Sequence, residues 1–381
     1  MQQNSSRMLF YAIAAAFAAA VLSFPCSPAV CRGWAQSSSF NALYLKTVPQ
    51  DYKKLEETFS LFKESGANTV MLKPRITNGA VDRDSLTNVV FLSHQAGLKI
   101  FVIIPTRSLD VLAFHPDWED LRCDLGSGNL LPTGRLDLFN ISVISYLTRF
   151  VKEIALYSVD GILLDQDFYY SDVEGAGPAA LDAYRRKFNG RLSFSKAFVK
   201  VAGGEVPSVE EYGESFWGWN DLKKNSLKDT LQALIKTARS VNSGVKIGIP
   251  IHLPGVVRAV DDRAHYSYDM FTFRKSDIDF FWIPVLHREI RARQNLTYNK
   301  TMEVFSQNVQ AAAALVKDPT RTIIAVETVP DLGSPLPFYE IETVFNQVRK
   351  AGEPGIALII GPDERLPAVL TQKMFKRQQE P

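Results

Sequence analysis

The sequence predicts an α/β fold of the (β/α)8 barrel type, in which eight parallel strands close into a cylinder ringed by helices. Two observations carry the prediction. Eight short apolar runs rich in β-branched and aromatic residues recur along the 381-residue chain, and helical patterns or long excursions separate them. Eight is also the strand number that closes such a barrel, and a chain that is 46% hydrophobic supplies its core. A third observation separates the barrel from an open doubly wound sheet. That fold places a glycine-rich phosphate loop after its first strand, whereas here the first run is followed by TVPQDYKK, without glycine.

The elements follow in order. Strand one is Phe40–Lys46, and the helix Asp51–Ser65 after it carries Leu55, Phe59 and Phe62 at helical spacing. Strand two is Asn68–Pro74, with the helix Asp84–Ala96 behind it. Gly66 and Gly97 stand just past these two helices, where C′ glycines end them, as Gly352 does later. Strand three is Lys99–Pro105, and an excursion from Ser108 to Asn140 precedes the helix Ile141–Tyr157. Strand four is Val159–Asp165. A second excursion, Ser171 to Glu214, holds a helix near Ala179–Phe188 and leads through ESFWGWND, with Trp217 and Trp219, to the helix Asn225–Val241. Strands five to eight are Val245–Ile251, Ile278–Pro284, Thr322–Glu327 and Gly355–Ile360, with helices Thr301–Val316 and Phe338–Lys350 around the seventh. Long loops of this kind shape substrate binding when they sit on an active rim.

The first 35 residues read differently. Arg7 precedes an alanine-rich apolar run, Met8 to Phe24, and the small-x-small site Gly33-Trp34-Ala35 follows, the order of a secretory signal peptide. The domain reading is therefore 1–35 as signal peptide, or as an N-terminal anchor if uncleaved, and 36–381 as the barrel. A periplasmic or secreted protein is expected, touching a membrane only through an uncleaved N-terminal segment. Arg7 and Arg32 account for the whole formal charge of +2, and 1–35 holds no acid, so the remainder is balanced. That balance argues against nucleic acid as a partner. Cleavage also removes Cys26 and Cys31 and leaves Cys123 without a disulfide partner.

Catalytic groups of such barrels lie at the C-terminal ends of the strands. The polar residues ending each run are Lys73 and Arg75, Thr106 and Arg107, Asp165 and Asp167, His252, His287, Glu327 and Asp363. Asp165 and Asp167 are two apart, so both face the barrel mouth if the strand continues that far. Crowded carboxylates push one pKa up, giving a proton donor beside an ionised partner. The same acids could instead cap the next loop or pair with Arg75 or Arg107. Glu327, ending strand seven, can meet the strand-four acids across the mouth or pair with Lys73. Two flanking carboxyl groups are what glycoside hydrolysis requires. Phe168, Tyr169, Tyr170, Trp217, Trp219 and Trp282 are candidates to stack on sugar faces, each of them equally a packing residue. Other chemistries find little support. His94, His115, His252, His265 and His287 make no zinc-spaced pair, and neither a Gly-x-Ser-x-Gly elbow nor a Walker loop is present. No cofactor and no metal is expected.

The stretch DGILLDQDFYYSD (Asp160–Asp172), continuing through AALDAY (Ala179–Tyr184), resembles the DGIL-F-HDD…SD signature of the C-terminal glycoside-hydrolase domain of bacterial poly-β-1,6-N-acetyl-D-glucosamine N-deacetylases. LAFHPDWEDLRCDLGSGNLLPTGRLDLFN is similar to that domain's loop after strand three. VKIGIPIHLP, IDFFWIPVLHRE and TIIAVETV fall where its strands five to seven would. The resemblance implies a (β/α)8 barrel that cleaves partially de-N-acetylated poly-glucosamine, without the N-terminal deacetylase domain. It maps the family's catalytic aspartate onto Asp167, its Ser-Asp pair onto Ser171-Asp172 and its strand-seven glutamate onto Glu327. Asp165 stands where the family has histidine, and Gln166 where it has the first aspartate. Asp167 is the expected principal catalytic carboxylate, with Asp165 and Glu327 as its partners. Expected substrate contacts are Asp172, Tyr169, Tyr170, Lys73, Arg75, His252, Trp282, His287 and Asp363, with Asp165, Asp172 and Glu174 suited to glucosamine ammonium groups. A polysaccharide is the expected partner, with exopolysaccharide export machinery as a second. Two further readings remain: a non-catalytic polysaccharide-binding barrel in export or biofilm assembly, and a hydrolase for an unrelated glycan.

Overall fold

The computed structural model describes residues 40–45, 48, 51–204, 207–252, 259–268, 270–328 and 336–360. The N-terminal 35 residues and Asp363 lie outside them. Eight strands form a closed parallel barrel: β1 (Asn41–Leu45), β2 (Thr69–Leu72), β3 (Lys99–Ile104), β4 (Gly161–Leu164), β5 (Lys246–Pro250), β6 (Phe280–Val285), β7 (Thr322–Glu327) and β8 (Gly355–Ile360). Each pairs with its neighbour in sequence, and β8 closes on β1 with Asn41 opposite Ile356.

Alternation along the strands divides two apolar layers. Ala42, Met71, Phe101, Leu163, Trp282, Ala325 and Ala357 point into the barrel. Their neighbours, such as Val70, Val102, Ile162, Phe281 and Val326, point out under the helices. The barrel is filled by matching large residues to small ones. Phe101 lies in register with Gly161, and Leu163 with Gly248. A Cβ at Gly161 would come within 2.3 Å of the Phe101 ring, and one at Gly248 within 2.2 Å of Leu163 Cδ2. Overpacking of that kind costs about 1–3 kcal/mol, so Gly161→Ala is expected to lose that much in urea denaturation. A loss below ~0.5 kcal/mol would show that Phe101 has room to move.

The surrounding helices α1 (Tyr52–Glu64), α2 (Arg83–Gln95) and α3 (Ile141–Ala155) each begin at a side-chain cap. Asp51 accepts from Lys53 N at 2.9 Å, Asp82 from Ser85 N at 3.0 Å and Asn140 from Ser142 N at 2.9 Å. α3 buries Val143, Leu147, Phe150, Val151 and Ile154 at intervals of three and four, each side chain contributing roughly 1.5–3 kcal/mol. Gly66, Gly97 and Gly352 take φ of 92°, 69° and 97°, the left-handed conformation the sequence predicted for them.

The two excursions carry their own structure. The first folds back as the hairpin Glu119–Cys123/Leu130–Leu136 and buries the Cys123 thiol, which burial and Asp124 push up to about 11. The second contains the helix Pro178–Phe188 and the hairpin Phe198–Ala202/Ser208–Tyr212. One boundary differs sharply from expectation. The helix expected at Asn225 begins at Glu214, making α4 (Glu214–Val241) 28 residues long. ESFWGWND is therefore its first turns. Phe216, Trp219, Asn220, Lys223 and Leu227 form one buried stripe along it. The remaining large helices are α5 (Tyr298–Val316) and α6 (Phe338–Lys350).

Candidate active site

The inward phase of each strand, continued past its end, selects the side chains of the mouth. Lys73 is two beyond Met71, Asp165 two beyond Leu163, and Glu327 two beyond Ala325. His252 is two beyond Pro250 and four beyond the inward Gly248. Lys73 Nζ meets Asp165 Oδ2 at 2.6 Å, an ion pair that spans the mouth above β3, which lies between β2 and β4. Glu327 is 5% exposed and closes β7 opposite Ile359.

Asp167 does not share that face. β4 ends at Leu164, and Phe168 N donates to Asp165 O at 3.2 Å, so the chain turns before Asp167 is reached. The i, i+2 rule fails with the strand. The Asp167 carboxylate instead gathers the amides that β3 leaves unpaired as it exits the barrel. Thr106 N lies 3.0 Å from both oxygens, Arg107 N and Ser108 N lie 2.7 and 2.6 Å from Oδ2, and Thr106 Oγ1 donates to Oδ1 at 2.9 Å. Successive N–H groups around one carboxylate form an anion nest, and Asp167 serves as the clasp between the two excursions.

Behind this clasp lies a buried ionic network. Arg107 is fully buried. Its Nε donates to Leu136 O at 3.0 Å, Nη2 to Asp120 at 2.7 Å, and Nη1 to Glu174 at 2.8 Å and to Tyr169 O. Its guanidinium lies 4.0 Å above the Tyr170 ring, whose hydroxyl donates to Asp137 at 3.2 Å. Burial favours the neutral form of Asp120, and the neighbouring Asp137 adds to it against the pull of Arg107, so that carboxyl is pushed up to about 7. Burial opposes ionisation of Glu174 as well, but Arg107 and Arg135 outweigh it and hold Glu174 below its usual range.

Lys223, on the buried stripe of α4, donates to Ser171 O at 2.8 Å and Asp172 O at 3.1 Å with its ammonium 4.0 Å from the Trp219 ring centre. Burial pulls its pKa down to about 7 despite nearby Asp172, Glu174 and Asp120. Between about 7 and the ordinary lysine value, the unfolded chain binds a proton that the native chain lacks, so this group makes stability rise with pH across that window. Lys223→Met is expected to lower the slope of unfolding free energy against pH between 7 and 10 by up to ~1.4 kcal/mol per unit. Denaturation at pH 7, 8.5 and 10 measures it, and an unchanged slope would contradict the assignment. Asp172 is held beside it. Burial opposes its ionisation, but His265, the Tyr212 hydroxyl at 2.9 Å and Lys223 together keep its carboxyl low.

Several expected substrate contacts lie elsewhere than predicted. Tyr170 is fully buried under Arg107, and Trp282 fills the barrel interior, 1% exposed, with Nε1 donating to Leu164 O at 2.8 Å. Phe168 and Trp219 are buried too, which leaves Tyr169 and Trp217 as the partly exposed rings of that set. His287 is 2% exposed and bonded to Glu340 at 2.6 Å; burial lowers its pKa against the opposing effect of Glu340. Arg75 is drawn back onto Asp82 at 3.4 Å, beside the small hairpin Ile76–Thr77/Ala80–Val81. Of these side chains only Trp282 lies on a barrel strand; the others follow strand ends or sit on helices, and partners distant in sequence decide which of them reach solvent. Sequence reasoning also missed Arg135, Tyr266 and Lys223. For Lys223 a signal existed, because it falls at helical spacing between Trp219 and Leu227.

No protein-family model matches the chain, and a search of curated proteins gives no match. Solved structures do match in fold. The glycoside hydrolase domain of PgaB (BpsB) from Bordetella bronchiseptica superposes with TM-score 0.70 at 16% identity, covering 88% of this chain and 99% of that one. The catalytic domain of β-amylase from Paenibacillus polymyxa gives 0.58 at 13% identity, over 90% of this chain and 99% of that one. β-Galactosidase from Marinomonas ef1 gives 0.61 at 11% identity, over 89% of this chain and 59% of that one. The chain thus has the (β/α)8 fold of glycoside hydrolase barrels, and its likeness to the PgaB domain agrees with the motif at Asp160–Asp172.

Proposed function

We propose that the chain is a periplasmic or secreted glycoside hydrolase that cleaves an amino-sugar exopolysaccharide of the poly-glucosamine type by carboxylate acid/base chemistry. The observation that carries this reading is the pair of carboxyl groups, Asp165 and Glu327, in inward phase at the C-terminal ends of β4 and β7. Lys73 complements the ionised form of Asp165, which suits Asp165 to act as base or nucleophile and Glu327 as proton donor to the leaving oxygen. The fold shared with the PgaB glycoside hydrolase domain supports a glycosidase, and the resemblance at Asp160–Asp172 suggests the substrate class.

A second reading, a polysaccharide-binding barrel without hydrolysis, is favoured by one observation. Asp167, at the motif position of the family's catalytic aspartate, has both oxygens engaged by backbone amides. Incubation with partially de-N-acetylated poly-glucosamine, read by mass spectrometry of released oligosaccharides, separates the two. Cleavage by the native chain that is lost in Asp165→Asn supports the hydrolase. Binding of the polymer without cleavage replaces it with the second reading, and cleavage of other glycans alone moves the substrate to an unrelated class.

A further inference from the structure

One corner of the mouth carries buried polar atoms with no hydrogen-bond partner among the described residues. His252 is clamped: its ring stacks on Tyr266 at 4.5 Å with an interplanar angle of 1°, and Tyr169 meets it edge-on at 4.9 Å. Its Nε2 is shut off from solvent and has no hydrogen-bond partner among the described residues. Arg135, from the first excursion's hairpin, lies 4.8 Å from the same Tyr169 ring, and its Nη1 is buried and likewise lacks a hydrogen-bond partner. Glu174 Oε1 lies 3.5 Å from that nitrogen and pairs with its charge, while Arg107 and Ser171 N engage the other oxygen, Oε2. Leaving a buried polar group unpaired costs about 1–3 kcal/mol, which a bound acceptor recovers.

The charges at this corner are the Arg135 guanidinium and the Glu174 carboxylate paired with it. Burial, reinforced by Arg135, brings the His252 pKa down to about 4, so the imidazole is neutral near pH 7 and Arg135 is the local cation. Aromatic faces beside a guanidinium and a neutral imidazole suit a sugar ring bearing an oxygen acceptor.

We propose that Arg135, His252, Tyr169 and Tyr266 form a subsite for a sugar unit carrying a carbonyl oxygen acceptor, either the acetamide of an N-acetylated hexosamine or the carboxylate of a uronic acid. The proposal rests on the glycan-binding reading above and adds the chemistry of one position. On an amino-sugar polymer the subsite recognises the units that keep their acetyl group.

Calorimetric titration of the full chain with three oligosaccharide sets tests it: fully N-acetylated glucosamine, fully de-N-acetylated glucosamine, and glucuronate-containing. Either acceptor-bearing set is expected to bind roughly tenfold or more tightly than the free-amine set. Acetamide preference identifies the neutral acceptor and glucuronate preference the anionic one. His252→Phe keeps the stack on Tyr266 and removes Nε2. This variant and Arg135→Gln, each shown to be folded by thermal melting, are expected to reduce the preference to about twofold or less. Binding of the free-amine set as tight as the others, or a preference unchanged in both variants, overturns the subsite and leaves the hydrolase reading standing. Binding of none of the three overturns both.

Discussion

Arg107→Met is expected to destabilise the protein by about 3–5 kcal/mol, because it leaves the carboxylates of Asp120 and Glu174 buried without their partner. The guanidinium also supplies donors to Leu136 O and Tyr169 O, so the substitution unties both excursions from the barrel at once. Arg107→Lys keeps the charge without the fork that reaches four acceptors, and it is expected to recover only part of the loss. The pH dependence is the sharper test. Without Arg107, Asp120 moves further above its unfolded value and Glu174 loses the cation that holds it low. The native state then binds protons that the unfolded state does not, and the variant loses stability as pH rises. Its deficit against the native chain should be larger at pH 8 than at pH 5 in urea denaturation. A deficit below ~1 kcal/mol, or one equal at both values, would remove the network from the account of how the rim is held.

The barrel was legible in the sequence because its signal is local. Runs such as Thr322–Glu327 and Gly355–Ile360 carry their own apolar pattern, and both strands have the predicted bounds. The rim was less legible because its signal is not local. Whether Asp167 follows Asp165 into the mouth depends on three amides some sixty residues earlier, at Thr106, Arg107 and Ser108. Nothing within DGILLDQDFYYSD states that the strand stops at Leu164. Trp282 was read as a sugar platform, yet its inward phase under the mouth makes it barrel filling. Lys223 shows the opposite failure. Its spacing on α4 places it in the core, but a helix read as starting at Asn225 leaves it outside the pattern.

That division of labour between neighbouring acids leads to the prediction with the largest expected effect on activity. Asp165→Asn is expected to lower kcat on a cleavable glycan by ~10²–10⁴ while changing stability by about 1 kcal/mol or less. Among the described residues the carboxylate pairs with Lys73, which is 43% exposed and can turn to water. Asp167→Ala should do the reverse. It deprives the Thr106, Arg107 and Ser108 amides of a shared anion, at a cost of about 2–3 kcal/mol. Any activity it loses should follow from misplacement of the excursions rather than of a reacting group. Asp167→Asn sharpens the contrast: one amide oxygen can still accept, but the side-chain NH2 faces backbone N–H groups and cannot replace the second oxygen. Its melting temperature should fall below that of Asp165→Asn although both substitutions remove one negative charge. Single-turnover rates and thermal melts of the three variants, measured together, decide the matter. Should Asp167→Asn lose a thousandfold in rate with native stability while Asp165→Asn stays near the native rate, the catalytic assignment passes from Asp165 to Asp167. The amide nest would then be the device that orients a reacting carboxylate.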